Sequence, residues 1–200
     1  METVRLVLAS RNPHKARELR ATLPGWEIEL LETDRDPPSE TGSTFAENAQ
    51  GKARFGREVL ARDDVWVLGE DSGLEVDALF GAPGILSARY DGEGATDEAN
   101  LGKLLDELAG QTMGRQARYV SELVGLGPGG AEIRATGELR GRIAEAPSGS
   151  EGFGYDPVFV PEGEERTVAE LGDAWKAEHS HRTHAVRAFA RALEATSPVE

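Results

Sequence analysis

The chain predicts an α/β fold: a mixed, twisted sheet with flanking helices. Three observations carry this. Through the first half, short apolar runs alternate with stretches of helical spacing, the pattern of strand–helix units. Further on, Tyr119–Gly127 and Ala131–Gly137 flank Gly127-Pro128-Gly129-Gly130 and read as a hairpin, so the sheet mixes strand directions. Finally, 200 residues at 38% hydrophobic content suffice for one substantial core, or one core with an attached lobe. With no repeat, low-complexity tract or linker, residues 1–200 read as a single α/β domain of two lobes.

Val4–Ala9 is a near-continuous apolar run and predicts a buried strand. A tight turn follows, Ser10-Arg11-Asn12-Pro13-His14-Lys15. Asn12 suits an N-cap and Pro13 the first helical position, and Leu19 and Leu23 mark the helix face. The unpaired N–H groups at that helix start favour an anion, and Lys15 lies in the first turn. Ile28, Leu30 and Leu31 predict a second strand, and Asp34–Ser43 a polar loop. Thr44-Phe45-Ala46-Glu47 has capping-box spacing and opens a helix to about Arg62, on which Asn48 and Lys52, four apart, share a face.

Val65–Tyr90 is the stretch around which the rest is organised. It starts as a short apolar strand that is expected to end at Glu70-Asp71-Ser72-Gly73, delivering acids to a loop where chemistry is carried. A Gly/Pro-punctuated segment follows, closed by Arg89. Thr96 caps the next helix, whose buried stripe is Leu101, Leu104, Leu105 and Leu108. After the hairpin, Gly137–Ile143 extends the sheet, and Pro147–Pro157 is a Gly/Ser-rich loop enclosing Phe153-Gly154-Tyr155-Asp156. Val158–Val160 is a short strand and Val168–Lys176 a helix. Ser180 caps a last helix with Ala185, Val186, Phe189 and Leu193 on one side.

Lys plus Arg is 22 and Asp plus Glu is 36, a net charge of −14. A chain this acidic repels polyanions at long range, which argues against nucleic acid or an anionic membrane as partner. A few convergent lysines can still hold a small phosphorylated ligand, above all beside a divalent cation. No apolar run approaches the ~18 residues that span a bilayer, and Met1–Arg5 lacks the pattern of a secretory leader. The chain has no cysteine, which excludes disulfides and thiolate metal sites and fits a cytoplasmic enzyme.

Each chemical signal has a plain alternative. Glu70, Asp71, Glu75 and Asp77 are either a solvated acidic loop or carboxylates for Mg²⁺, with Glu40 the natural second carboxylate from another loop. A carboxylate beside such a metal can accept a proton from water. Lys15 and Lys52 are surface lysines or phosphate ligands. Arg89 ends a mostly apolar segment and needs an anionic partner. Phe153 is a core plug or a stacking platform for a base. Lys176, Ser180, His181 and Arg182 are a polar helix cap or a donor cluster for carbonyl groups. No Walker-type phosphate loop occurs.

The joint order of these blocks lifts the reading. They are Ser10-x-Asn12-x-x-Lys15, Glu40-Thr41-Gly42-x-Thr44-Phe45-x-Glu47-Asn48-Ala49-x-x-Lys52, Asp71-Ser72-Gly73-Leu74, Gly81-x-Pro83-Gly84-x-x-Ser87-Ala88-Arg89-Tyr90, Phe153-Gly154-Tyr155-Asp156-Pro157 and Ser180-His181-Arg182. Together they resemble the inosine triphosphate pyrophosphatase family, also called the Ham1 family, from Val4 to about Phe189. The resemblance implies a fold of two lobes enclosing a cleft, a homodimer, and Mg²⁺-dependent hydrolysis of ITP, XTP and their deoxy forms to the monophosphate and pyrophosphate. That reaction would cleanse the nucleotide pool of deaminated purines.

The resemblance also implies roles. Asp71 would be proton acceptor and metal ligand, with Glu40 assisting the metal. The turn Ser10, Arg11, Asn12, Pro13, His14 and Lys15, with Lys52, would bind the triphosphate, and Ser72 and Arg89 would also contact substrate. Phe153 would stack on the base in a pocket shaped by Gly154, Tyr155 and Asp156, which Lys176, His181 and Arg182 would read. The chain departs from the family at Ala177, where asparagine is expected, at His179, where an aliphatic residue is usual, and at Ser10, which keeps the hydroxyl of a common threonine.

Overall fold

A computed structural model describes residues 4–111 and 114–196; the Met1–Thr3 start considered above lies outside them. Strands and helices follow in the order β1 (Arg5–Leu8), α1 (Pro13–Thr22), β2 (Glu27–Leu30), α2 (Phe45–Leu60), β3 (Trp66–Val76), α3 (Asp97–Leu108), β4 (Gln116–Leu126), β5 (Glu132–Ile143), β6 (Phe159–Pro161), α4 (Val168–His179) and α5 (His181–Thr196). Six strands form one sheet in the order β2-β1-β3-β4-β5-β6. β1 pairs parallel with both β2 and β3, while β5 and β6 are antiparallel, so the sheet is mixed as predicted.

The residues gather into two compact units. The first holds the chain up to Asp71, Ser121–Gly137, and everything from Arg182 onward; the second holds Ser72–Val120 and Glu138–His181. Within the first, strand alternation sorts side chains to two faces. Leu6, Leu8 and Leu68 pack with Leu19 of α1 and with Val186, Phe189 and Leu193 of α5. Val7 and Val67 pack with Phe55, Val59 and Leu60 of α2. Gly69 lets α2 lie against β3: a Cβ there would stand 2.0 Å from the Ala49 carbonyl oxygen. In the second unit Leu74, Val76, Leu104, Leu108, Tyr119, Phe159 and Val168 form the core.

Caps explain where the helices start. Asn12 Oδ1 accepts from His14 N–H, Thr44 from Glu47 N–H and Thr96 from Ala99 N–H. At α2 the predicted box is displaced by one residue, because the Glu47 carboxylate takes the N–H and hydroxyl of Ser43. That helix ends at Leu60, not Arg62, where Ala61 turns left-handed at φ 48°. A full capping box, Thr167 with Glu170, opens α4, which is broken at Gly172. Among the described residues, no helix is long and apolar enough to cross a membrane.

Two expectations are corrected here. β3 does not end at Glu70 but runs on to Val76, so Glu70 and Asp71 lie inside a strand and are buried. Charge-assisted partners make that possible, and composition could not foresee them. The four acids are also not one cluster, because Glu75 belongs to a separate ion pair with Arg118 at 2.7 Å.

Candidate active site

The two consecutive acids of β3 face opposite ways, as strand geometry requires, and each meets cations from a different side. Asp71 turns to α2. Its Oδ1 accepts from Lys52 Nζ at 2.7 Å and its Oδ2 from Asn48 Nδ2 at 3.1 Å. Asn48 and Lys52 reach one carboxylate because they are one helical turn apart. Lys52 Nζ also contacts Glu40 Oε1 at 2.6 Å and the Glu70 carbonyl oxygen at 3.2 Å. Asn48 Oδ1 accepts from Gly42 N–H at 2.9 Å, which ties the Glu40 loop to the same helix.

Glu70 turns the other way. Its Oε2 lies 2.5 Å from Lys15 Nζ, and its Oε1 accepts from Arg182 Nε and Ser121 Oγ, both at 3.1 Å. The second side of the Arg182 guanidinium bonds Glu18. These elements of the first unit therefore bring together Lys15, Lys52 and Arg182 with Glu18, Glu40, Glu70 and Asp71.

Burial and charge oppose each other throughout this centre. Burial alone would raise the Glu70 carboxyl, but Arg182 and Lys15 overcome it and hold the group well below the usual range. Asp71 goes the other way: burial outweighs the Lys52 ammonium, with Glu40 and Glu70 adding to it, and its pKa is raised. For Lys52, burial favours the neutral amine, yet Asp71 and Glu40 win and its pKa is raised. The two adjacent carboxyls are thus shifted in opposite directions, Glu70 down and Asp71 up.

The rest of the N-terminal turn is local. Ser10 Oγ accepts from Asn12 N–H at 3.1 Å, and Pro13 opens α1 beside the exposed His14. Arg11 donates to the Arg35 carbonyl oxygen at 2.8 Å.

In the second unit a different group assembles. Asp156 Oδ2 accepts from Lys176 Nζ at 2.7 Å and from Phe153 N–H at 2.9 Å. The Lys176 ammonium lies 3.9 Å from the centre of the Phe153 ring, a cation–π contact. Gly154 N–H donates to Asp97 at 2.7 Å and Tyr155 OH to the Ser87 carbonyl oxygen at 2.9 Å. Those bonds pin the loop to the start of α3 and to the turn at Gly84–Arg89. His181 stacks on Tyr119, with centroids 4.7 Å apart. Arg89 lies 3.6 Å from Glu93, and Ser72 follows Asp71 directly along β3.

One placement differs from expectation. Arg182, assigned by resemblance to the base, bonds Glu70 and Glu18 in the first unit, because a buried guanidinium needs carboxylates. Asn48, Glu18, Ser121 and Tyr119 were absent from the predicted site; only Asn48 carried a sequence signal, its four-residue spacing to Lys52. A cavity of about 600 Å³ in the second unit, lined by Arg118, Arg140 and Arg142 among others, takes in Glu75 and Asp77 of the acidic stretch but none of the residues to which the resemblance gave a role.

Fold and site together define a mixed α/β protein with a buried lysine–carboxylate centre on a central strand. The Ham1 family model matches residues 6–192, and the chain belongs to the Ham1 family. A dITP/XTP pyrophosphatase of Bdellovibrio bacteriovorus is 47% identical over 163 residues, 81% of each chain. One of Symbiobacterium thermophilum is 47% identical over 197 residues, 97% of this chain and 95% of its own. The structure of a HAM1 protein from Coxiella burnetii superposes with a TM-score of 0.86 at 35% identity, covering 97% of this chain and 100% of that one.

Proposed function

We propose that this chain is a nucleoside triphosphate pyrophosphatase that hydrolyses dITP, ITP and XTP to the monophosphate and pyrophosphate. It would act in the cytoplasm, as a homodimer, and remove deaminated purines from the nucleotide pool. The observation that carries the chemistry is the meeting of Glu40 and Asp71 on one Lys52 ammonium, at 2.6 and 2.7 Å.

That same observation tests whether the residues fit a metal. Two hard carboxylate oxygens from separate elements already converge on a positive charge. A magnesium ion takes one or two protein carboxylates and completes its shell with phosphate oxygens and water, so Glu40 and Asp71 fit it as ligands. When bound, it would supply charge neutralisation to the phosphates and acidify a water. Charge counting points the same way: three cations face four carboxylates in this centre, and a triphosphate needs that balance reversed.

The chain's own residues do the rest. Lys15 and Lys52, near the start of α1 and on α2, offset phosphate charge, with the positive end of the α1 dipole beside them. Asp71 accepts the proton of the attacking water as pyrophosphate leaves the α-phosphorus. Positioning and charge stabilisation carry most of such a reaction. In the second unit Phe153 offers its ring to the base, with Lys176 and His181 as donors for the 6-oxo group. Adenine presents a 6-amino donor there, and a buried donor–donor mismatch discriminates strongly. Arg182 contributes by holding Glu70.

The test is a panel of dITP, XTP, ATP, GTP, dTTP and UTP, with pyrophosphate detected with and without Mg²⁺. The reading expects ITP-type and XTP-type substrates to lead by orders of magnitude, and only with the metal. Equal rates on all six, or binding without turnover, would refute it.

A further inference from the structure

Tyr119 of β4 carries no role in the reading above, yet it joins the parts of the base-side group. Its ring lies parallel to the His181 imidazole, 9° apart with centroids at 4.7 Å, and tilted against Phe159 at the same distance. Its hydroxyl donates to Asp156 Oδ1 at 3.3 Å, while Oδ2 holds Lys176 Nζ and Phe153 N–H. All three polar partners, Asp156, Lys176 and His181, are buried with it.

We infer that Tyr119 is a positioning residue that sets the selectivity for the purine 6-substituent. It does so by fixing the plane of His181 and the orientation of the carboxylate that aims Lys176. The inference rests on the base-side reading above. An aspartate carboxylate rotates broadly about its last torsion unless both oxygens are held. Here Tyr119 holds one and Lys176 with Phe153 N–H the other. Rejecting a 6-amino group requires donors that cannot retreat from it, which depends on the shell behind them. Release the carboxylate, and the ammonium gains the freedom to swing aside for adenine. The stack does the same for His181: sliding is cheap, but tilting out of plane costs the ring contact.

Two variants separate these contributions. Tyr119→Phe keeps both ring contacts and removes the hydroxyl; Tyr119→Leu also removes the stack. The readout is the ratio of kcat/KM for dITP to that for dATP, with inhibition by inorganic tripolyphosphate, which has no base, measured alongside. Tyr119→Phe is expected to lower the ratio about tenfold, the upper end for one ordinary hydrogen bond, through a higher KM for dITP and a gain on dATP. Tyr119→Leu should lower it further, and tripolyphosphate inhibition should stay the same in Tyr119→Phe. An unchanged ratio in both variants would overturn the inference. So would an equal loss on dITP, dATP and tripolyphosphate, the mark of a merely structural residue. A wild type that does not prefer dITP overturns the base reading itself, and that is known before any variant is made.

Discussion

Lys52 Nζ and Asp71 Oδ1 stand 2.7 Å apart where α2 crosses β3, and each raises a different question about the other. The lysine is kept protonated by the aspartate, while burial keeps the aspartate's affinity for a proton above that of an ordinary carboxylate. Asp71→Asn preserves the shape and leaves Asn48 and Lys52 in place. It is expected to lower kcat by at least ~100-fold, the low end for loss of a general base. Initial rates at saturating dITP and Mg²⁺ measure this, and a variant that turns over near the wild-type rate takes Asp71 out of the mechanism.

Arg182→Met leaves Glu70 and Glu18 without their shared guanidinium. Breaking a buried ion pair from one side costs about 3–5 kcal/mol where the remaining charge is left alone; Glu70 keeps Lys15 at 2.5 Å, which puts the expected loss at the low end, about 3 kcal/mol. Urea unfolding should show a loss of that order. Adding Glu70→Gln to the same chain should recover part of it, and a double variant no more stable than Arg182→Met would contradict the pairing.

Gly69→Ala places a methyl 2.0 Å from the Ala49 carbonyl oxygen and 2.6 Å from Ala53 N. Backbone cannot yield as a side-chain tip does, so α2 must shift, at about 1–3 kcal/mol. Asn48 and Lys52 ride on α2, so dITP turnover should fall as well. Gly102→Ala, inside α3 with nothing within 4 Å, is the contrast and should gain about 0.5–1 kcal/mol. Equal melting temperatures for the two variants would contradict the close approach.

The capping box of α4 sets an acid-side signature. Glu170 is held below its ordinary value of 4.5, first by the Thr167 N–H and then by side-chain hydroxyls. A lowered pKa in the folded chain means the ionised form favours folding. Its contribution is present above the unfolded value and is lost as pH falls through the folded one. Melting temperature followed downward from pH 6 should therefore drop more steeply in wild type than in Glu170→Gln. Parallel curves would remove the carboxylate from that limb.

Sequence reading reached most of the elements because their signals are local. Asn12 before Pro13, Thr44 before a helical stripe, and four apolar residues at helical spacing in α5 need only their neighbours. It failed at the end of β3, where Glu70 and Asp71 looked like a loop. The partners that let them be buried come from residues 15, 48, 52, 121 and 182, and no local window contains them. The same holds for Arg182: its donors are evident in the sequence, but Glu18 and Glu70 as its acceptors are not.

The amino-acid order by itself determined the class of fold, the charged residues available for chemistry, and the family. Those rest on periodicity, composition and six motif blocks that need no coordinates. Only the folded chain decided that Glu70 and Asp71 point to opposite faces of one strand, and that one is held ionised while the other takes a proton more readily. The physical reason is that a pKa belongs to an environment: desolvation and neighbouring charge act through distance in space, which spacing along a chain does not encode.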